Sequence, residues 1–445
     1  MVRDPGGTIQ STRADRTETQ AASAFPSQEE LSGWCTRVGL PQDMAEALAC
    51  CRERAAVSEA LYKLFHTVCA RLALHADWPD PTEDEEIKRA CGDSAWAFGL
   101  IAWLSMLPRA EAWYRAHGIG MDIFDATMAD IGLWGVNNTE RHGAVRFSEF
   151  GWIHVHLSCR LFRLGRLQFV LQPYDGDALF LRHRGDGRIV AVAMPGVRIR
   201  SDGYLDGTDG WTDENAWTTE LQRPDALTMQ NKPVSPDVLM MQNKPASPDA
   251  LTMQNIPASP DVLLKPSEQM RPNRVLLPGD GVERSGSWIG HPIDPNGRTH
   301  REQVEFPCSD WEAALQPGDD TLDVHIPQGS PLDIPASLAS FEQALPFFRR
   351  VFPQREPHAY HCHSWLLAPQ FDSMLPDTSN IVRFAQLFHR YPSGGDRQQA
   401  WERVFGHHAP TLAEAPRTSS LQRILHDWLS EGKLVCSMAG MHFPE

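Results

Sequence analysis

Residues 321–333 read Thr-Leu-Asp-Val-His-Ile-Pro-Gln-Gly-Ser-Pro-Leu-Asp, and they predict the architecture of the second half of the chain. The first six residues favour a β-strand, and the loop of Pro, Gly and Ser that follows leads into a helix after Asp333. The first turn of such a helix presents unpaired amides and the positive end of its dipole, which suits a pyrophosphate. Gly329 allows a close approach of the backbone to a ligand, and Ser330 offers a hydroxyl. The same pattern is also typical of a plain connection.

Downstream of this loop, helix and strand patterns alternate. Five apolar residues at spacings of 3, 4, 3 and 4 predict one buried helix face, with a kink at Pro346 inside the helix. Residues 359–367 are predicted as the next strand, and residues 379–380 open a further helix. An amphipathic helix over residues 421–429 precedes a predicted strand over residues 433–437. The apolar stripe of the first helix consists of Leu338, Phe341, Leu345, Phe348 and Phe352.

Upstream of the loop, from residue 139 onward, strand patterns predict an antiparallel sheet. Residues 178–183 and 188–192 flank a Gly-Asp-Gly turn, which is a hairpin signal. Residues 309–312 have the spacing of a capping box and predict a short helix that ends at Leu315. The other predicted strands cover residues 152–157, 161–171 and 197–200.

Residues 29–138 are predicted to form an all-helical domain. Within them, residues 94–117 are a helix candidate that Pro108 ends or kinks. Residues 1–28 lack periodicity, so we predict a disordered tail there. The mixed-sheet domain is expected over residues 139–445. The clearest helical stripe, at the spacing of one buried face, consists of Leu61, Leu64, Phe65, Val68 and Leu72.

A direct repeat with a 12-residue period interrupts the sheet domain at about residues 222–284. Its copies begin at Pro224, Pro236 and Pro248, and a truncated copy begins at Pro260. Each copy carries two prolines, which exclude a continuous helix or strand core. We predict a disordered insertion in a loop, and a partner-binding repeat is the alternative.

The composition excludes some classes of partner. The formal charge is −16, from 41 Lys and Arg against 57 Asp and Glu, whereas non-specific binding to nucleic acid or an anionic membrane needs a basic surface. The nine cysteines form no Cys-x-x-Cys pair, and dispersed cysteines are typical of reduced, cytosolic proteins. No apolar signal region is visible, and the most apolar stretch, residues 95–107, is too short for a membrane span. We therefore expect a cytoplasmic protein with neither nucleic-acid nor membrane partners.

Four ordered motifs together resemble one bacterial family. They are FRLGRLQF at 162–169, LDVHIPQG at 322–329, CHSWLL at 362–367 and SNIV at 379–382. The family consists of two-domain acyltransferases, in which a helical N-acyltransferase N-terminal domain precedes a GNAT-like C-terminal domain. The resemblance covers most of residues 29–400 outside the repeat. It implies an α+β fold with a GNAT-like mixed-sheet domain.

The resemblance also implies transfer of an acyl group, such as acetyl, from acyl-CoA to the amine of a small molecule or protein. In the GNAT fold one strand splays from its neighbour, and the acyl-thioester lies in the gap. Here the splayed strand corresponds to residues 322–326, the pyrophosphate loop to residues 327–333 and the neighbouring strand to residues 359–367. Pro327 and Pro331 depart from the pattern, because they remove amide donors from a loop that is usually richer in glycine. The residues implied in binding acyl-CoA are Val324, Ile326, Gln328, Gly329, Ser330 and Asn380.

Three histidines are the candidate catalytic residues, because direct attack needs a base and histidine titrates near neutrality. His325 lies on the strand that corresponds to the splayed one, and His361 and His363 share one face of the next strand. Taken singly, each is more typical of an ordinary strand or surface histidine. Tyr360, on the opposite face, is a weaker candidate for the general acid. Cys362 is a weaker candidate still, as a covalent nucleophile.

Two other functions stay open at this point. A metal-dependent hydrolase would use two His-x-His pairs, at residues 154 and 156 and at residues 361 and 363, with His325 nearby. No carboxylate is tied to these pairs by spacing and no His-Glu-x-x-His motif occurs, so no metal is expected. The acidic run over residues 202–214 lacks the spacing of a calcium loop. The other function is that of a non-catalytic ligand-binding or scaffold protein on the same fold.

Overall fold

The computed structural model describes residues 25–73, 80–207, 212–224, 286–394, 397–409, 411–433 and 435–444. The described chain divides into two units between Cys159 and Arg160, so the predicted boundary at residue 138 lies too early. The predicted tail (residues 1–28) lies almost entirely outside the described residues. The same holds for the repeat insertion (residues 222–284), so both stay predictions.

The N-terminal unit is built from helices. They are α1 (Gln28–Val38), α2 (Gln42–Ala56), α3 (Glu59–Ala73), α4 (Glu85–Cys91), α5 (Ala95–Leu104), α6 (Leu107–Ala116), α7 (Met121–His142) and α8 (Phe150–Leu157). A capping box of Ser27 and Glu30 begins α1, since each side chain accepts a hydrogen bond from the other residue's amide. The predicted stripe from Leu61 to Leu72 is buried along α3, which confirms that helix.

The predicted helix over residues 94–117 is in fact two helices, α5 and α6. Every residue of α5 is buried, which is the pattern of a central core helix. Pro108 lies in the first turn of α6, where its missing amide has no helical partner to lose. The segment Glu85–Ala116 is long and apolar enough for a membrane span by length and composition, but 78% of its most apolar window is buried within the fold. It also comprises three separate α-helices, so it is a core segment of this unit.

Residues 152–157, predicted as a strand, belong to helix α8 instead. The indole of Trp152 donates a hydrogen bond to the carboxylate of Asp130 at 2.9 Å, and Nε2 of His156 lies 3.1 Å from the same oxygen. Only a helix brings two side chains four residues apart to one point. A six-residue apolar run does not distinguish helix from strand by its periodicity, and the partner on α7 decides between them.

The C-terminal unit combines strands with a smaller number of helices. Its strands are β1 (Leu161–Leu164), β2 (Leu167–Pro173), β3 (Ala178–His183), β4 (Ile189–Ala193), β5 (Arg198–Ile199), β6 (Trp217–Thr218), β7 (Leu221–Gln222), β8 (Ser287–Gly290), β9 (Pro292–Ile293), β10 (Val304–Pro307), β11 (Trp311–Leu315), β12 (Asp320–His325), β13 (Ala359–Ser364), β14 (His389–Tyr391) and β15 (Met438–His442). Its α-helices are α9 (Ile334–Val351), α10 (Phe371–Met374), α11 (Asn380–Ala385), α12 (Arg397–Phe405) and α13 (Ser420–Ser430).

The largest sheet has the strand order β1-β2-β12-β13-β15-β14. Its neighbouring strands are antiparallel except for β12 and β13, which run parallel and are connected through α9. Helix α9 covers one face of this sheet, where Phe348 packs against Phe162 and Phe341 against Phe169. The mixed-sheet α+β architecture is therefore confirmed.

Three smaller sheets complete the described part of this unit. Their strand orders are β11-β3-β4-β9, β10-β8-β7 and β5-β6. The hairpin of β3 and β4 is confirmed, but the single antiparallel sheet predicted for this region is divided, because β1 and β2 join the largest sheet. Residues 311–315 form a strand rather than the predicted helix. Trp311 is buried, lies opposite His183 on β3 and packs against Phe306, so cross-strand packing overrides the capping-box spacing.

The remaining predictions hold in part. Helix α9 continues through Pro346 and buries Phe341, Leu345 and Phe348. Phe352 is buried just beyond the end of the helix, but Leu338 is 38% exposed. The strand predicted over residues 359–367 ends at Ser364 and continues as a 3₁₀ turn, Trp365–Leu367. The strand predicted at residues 433–437 begins only at Met438, because Val435 packs into a small apolar core with α10, α12 and α13.

Candidate active site

Strands β12 and β13 are paired only over their first halves. The parallel pairing covers three positions and ends where Asp323 lies beside His361. Beyond that point β12 stays paired with β2 as far as His325, and β13 stays paired with β15 as far as Ser364. Each strand is thus held on its outer side while the two separate on the inner side. The gap that the resemblance implies is therefore present beside Val324.

The carboxylate of Asp323 lies at this gap between histidines of both strands. Nε2 of His325 is 3.2 Å from one carboxylate oxygen, and Nδ1 of His361 is 3.4 Å from the other. Because alternate residues of a strand share a face, all three side chains lie on the same face of the sheet as His363. Burial raises the pKa of Asp323, but the three histidines around it more than offset this, and the pKa is lowered overall. The carboxylate therefore stays ionised, so it can orient an imidazole and stabilise its protonated form.

His361 is also held from its other side. Its Nε2 lies 2.8 Å from the hydroxyl of Tyr391 on β14. Burial raises the pKa of this tyrosine well above its usual value, so the hydroxyl keeps its proton. When Tyr391 donates to Nε2, His361 carries its own proton on Nδ1 and directs it at Asp323. Both ring nitrogens are then engaged, which suits a positioning group better than a base.

His363 lies further along β13, beside the gap. Burial lowers its pKa, and the neighbouring His361 lowers it further, against a smaller opposite effect of Asp323. The ring is therefore neutral near pH 7. Its Nε2 is buried and has no hydrogen-bond partner among the described residues. A buried polar atom of this kind costs free energy until a ligand or water bonds to it, so it marks a place that a ligand can fill.

The opposite face of β13 offers no reactive group. Tyr360 donates its hydroxyl proton to the carbonyl oxygen of Phe341 on α9, and it is buried. Burial raises the pKa of the Cys362 thiol well above its usual value, so the thiol stays protonated. A covalent Cys362 intermediate and an acid role for Tyr360 are therefore not supported.

In the loop after β12, the conformation of Gly329 agrees with the expectation that the backbone can approach a ligand closely. Gly329 adopts φ of 100°, a region that L side chains rarely enter, and Gln328, Gly329 and Ser330 are exposed. The helix that follows differs from expectation. The carboxylate of Asp333 accepts a hydrogen bond from the amide of Ala336 at 2.8 Å, and Pro335 has no amide to offer. The first turn of α9 thus carries an anion of its own, and donors for a pyrophosphate must come from the loop.

Asn380 belongs to a different element from this loop. It is the first residue of α11, which packs against the 3₁₀ turn at the end of β13. Its side chain forms no hydrogen bond with the described residues. The structure thus brings together His325, His361, His363 and the strand residue Val324 where the two strands separate, whereas Asn380 lies on α11.

The metal site built from two histidine pairs does not form. His154 and His156 lie on helix α8 of the N-terminal unit rather than on a strand face, and His156 is engaged by Asp130. Across the described ranges, no group of three or more His, Cys, Asp or Glu side chains is arranged to hold a metal ion. The hydrolase interpretation therefore loses the geometry on which it depended.

Sequence reasoning missed Asp323 and Tyr391. Asp323 precedes His325 by two residues in a predicted strand, so a shared face and an Asp–His contact could have been inferred from spacing. Tyr391 gives no such signal, because only the order of strands in the sheet brings it to His361.

A mixed sheet whose adjacent parallel strands separate beside a loop leading into a helix is the arrangement of a GNAT-type acyltransferase. Two family comparisons agree with this class. Residues 29–159 match the N-acyltransferase N-terminal domain, and residues 161–442 match the GNAT-like C-terminal domain. The chain therefore belongs to the family of two-domain acyltransferases that join these domains.

Solved structures of similar fold are also acyltransferases. One, an acyltransferase mutant in complex with octanoyl-CoA, is 17% identical, with a TM-score of 0.53 over 97% of this chain and 95% of that one. Another, in complex with decanoyl-CoA and teicoplanin, is 17% identical, with a TM-score of 0.52 over 97% and 94%. A third, in complex with decanoyl-CoA, is 16% identical, with a TM-score of 0.54 over 97% and 96%. At these identities the likeness shows a shared fold. A comparison with curated proteins found no match.

Proposed function

We propose that this protein transfers an acyl group from acyl-CoA to an amine by direct attack. The observation that carries the proposal is the separation of β12 from β13 with an Asp323–His325 pair at its edge. The solved acyltransferases of the same fold support the donor, since they are in complex with octanoyl-CoA or decanoyl-CoA. One of them is also in complex with teicoplanin, which carries an amine.

In this proposal the thioester lies in the gap. Main-chain groups of Val324 and Ile326 that β13 no longer covers bind the pantetheine arm and polarise the thioester carbonyl. The exposed residues Gln328, Gly329 and Ser330 face the diphosphate. Backbone donors suit this task because they are held in place before the substrate arrives.

His325 is the proposed general base. Its Nε2–H donates to Asp323, so in this tautomer the lone pair is on Nδ1. The amine nitrogen forms a bond to the thioester carbon and gives its proton to Nδ1, directly or through water. The tetrahedral intermediate then collapses, the carbon–sulfur bond breaks, and CoA leaves as a thiolate that takes up a proton. The ionised Asp323 stabilises the imidazolium that forms between these steps.

The other two histidines have different tasks in this scheme. His361 holds Asp323 in place from the second strand, backed by Tyr391. His363 offers a neutral ring with an unsatisfied Nε2 beside the gap, which suits a hydrogen bond to the bound substrate. A non-catalytic binding protein would need the gap but not the oriented His325. Measured turnover of acyl-CoA therefore distinguishes the enzyme from the binding protein.

The cellular location is a separate proposal. All nine cysteines are described and none forms a disulfide bond, even the exposed Cys50, which suits a reducing compartment such as the cytoplasm.

The test is an assay of thiol release from acetyl-, octanoyl- and decanoyl-CoA with a panel of amine acceptors. We expect His325→Gln to lower kcat by roughly 10²- to 10⁴-fold, the usual contribution of a general base. The matched control is His183→Gln, which alters a second Asp–His pair, with Asp186 at 2.7 Å, on the hairpin of β3 and β4. Full activity of His325→Gln would refute the base. Binding without turnover for every amine would favour the non-catalytic function.

A further inference from the structure

Arg166 connects three elements around the loop after β12. It occupies the two-residue turn between β1 and β2, beside Gly165, whose φ of 68° suits the first position of a tight hairpin. Its own amide donates to Oγ of Ser340 on α9 at 2.9 Å. Gly165 packs so closely here that an added Cβ would lie 2.9 Å from the same oxygen. These contacts hold the hairpin turn against the helix. The backbone of Arg166, from which its side chain extends, is therefore held in place.

The guanidinium of Arg166 donates to three carbonyl oxygens of the loop. Nη1 reaches Pro327 at 3.0 Å, Nη2 reaches Ser330 at 2.8 Å, and Nε reaches Pro331 at 2.9 Å. A trans peptide unit directs its N–H opposite to its C=O. The amides of Gln328 and Leu332 consequently point away from Arg166. Arg166 thus determines which way the donors of a proline-containing loop face.

This arginine also places a positive charge beneath the loop, and no carboxylate of the described residues forms an ion pair with it. The residue is only 8% exposed, and its three acceptors are neutral carbonyls. Burial lowers its pKa, and so does the nearby Arg163, but a guanidinium remains protonated at every physiological pH. Since the N-cap Asp333 already accepts a hydrogen bond from the first turn of α9, this buried charge is well placed to offset a negatively charged ligand at the loop.

We propose that Arg166 is a positioning residue for the diphosphate of the acyl-CoA donor. It holds the loop so that its amides face the ligand, and it supplies a positive charge below them. The inference rests on the proposed function, because it assumes a CoA thioester in the gap. It explains how a loop with two prolines and a single glycine can still form a diphosphate site.

The test compares two donors that differ in the diphosphate. Octanoyl-CoA carries it, whereas octanoyl-pantetheine has the same thioester and pantetheine arm without it. Titration calorimetry should show that Arg166→Gln weakens octanoyl-CoA binding by about tenfold or more, which is about 1.4 kcal/mol. The affinity for octanoyl-pantetheine should change by less than about twofold, since that ligand does not reach the loop. Arg166→Lys keeps the charge but cannot bond three carbonyls at once, so we expect an intermediate loss confined to octanoyl-CoA.

The control variant is Arg182→Gln, which removes an exposed arginine from β3 and should change neither affinity. Equal losses for both donors, or no loss for either, would overturn the role of Arg166 while leaving the proposed function standing. A wild-type protein that binds neither donor would contradict the proposed function itself. A thermal melt of each variant shows whether it is folded. If Arg166→Gln does not fold, the same comparison of the two donors is made with Arg166→Lys.

Discussion

At the scale of single residues, the site depends on Asp323 more than on any histidine. Its carboxylate contacts one imidazole from each of the two separating strands. Spacing alone identifies His325, His361 and His363, because alternate residues of a strand face the same way. Spacing does not rank them. Their surroundings show which of them suits the role of general base. Both ring nitrogens of His361 are engaged, whereas 32% of the His325 side chain is exposed.

The buried His389 gives a prediction about pH. Burial lowers its pKa, against smaller opposite effects of the Ile293 carbonyl and of Asp294. Below the unfolded pKa of about 6.5 the unfolded chain binds a proton that the folded chain resists, so stability falls as the pH drops through this window. His389→Gln keeps a donor for the Ile293 carbonyl, 3.0 Å away, and cannot titrate.

Urea unfolding at pH 7.5 and pH 5.5 measures this effect. The wild type should lose more stability than His389→Gln, by up to about 1.4 kcal/mol per pH unit for one proton. The other titrating groups cancel in the comparison. Identical pH dependence of the two proteins would show that His389 does not contribute.

At the scale of elements, the sequence predicts several helices and strands correctly, but two short segments form the other type of element. The stripes of α3 and α9 are confirmed because several turns repeat the same buried face. Helix α8 was predicted as a strand, and strand β11 was predicted as a helix. In each case a contact with a residue distant in sequence determines the conformation: Asp130 for α8 and His183 for β11. No local pattern contains that information.

The N-cap of α9 gives a prediction at this scale. Asp333→Asn keeps a side-chain oxygen for the Ala336 amide, so unfolding free energy should change by less than about 0.5 kcal/mol. The substitution also removes a negative charge beside the loop, so octanoyl-CoA should bind a few-fold more tightly. Asp333→Ala, which loses the cap, should cost about 1 kcal/mol.

Asp84→Asn is the matched control for binding, because Asp84 caps α4 in the N-terminal unit through the amides of Glu86 and Ile87. Its affinity for octanoyl-CoA should equal that of the wild type. Weaker binding by Asp333→Asn would place the diphosphate away from the loop.

At the scale of the whole molecule, the strands next to the predicted repeat insertion lie side by side in one sheet. Strands β7 and β8 flank it and are paired antiparallel, with Leu221 opposite Gly290 and Gln222 opposite Ile289. The described ends of the chain on either side of this insertion therefore lie at adjacent points. The entropy of closing a loop grows only slowly with its length, so the cost of the extra residues is small.

Replacing residues 225–285 by a short Gly-Ser turn should consequently leave the fold intact. We expect the melting temperature to stay the same or rise, with a gain of up to about 2 kcal/mol from the shorter loop. Octanoyl-CoA affinity should not change. A marked fall in melting temperature would show that the repeat packs against the folded units, in place of the predicted disorder.

The central claim is that the acyl-CoA donor binds in the gap between β12 and β13. Amide hydrogen exchange with and without a non-cleavable thioether analogue of octanoyl-CoA tests this claim most directly. The account predicts that the ligand slows exchange at Val324 and Ile326 and at the loop amides of Gln328 and Leu332, with little change along β3 and β4. Protection confined to other parts of the chain, or a bound ligand that leaves these amides unchanged, would contradict it.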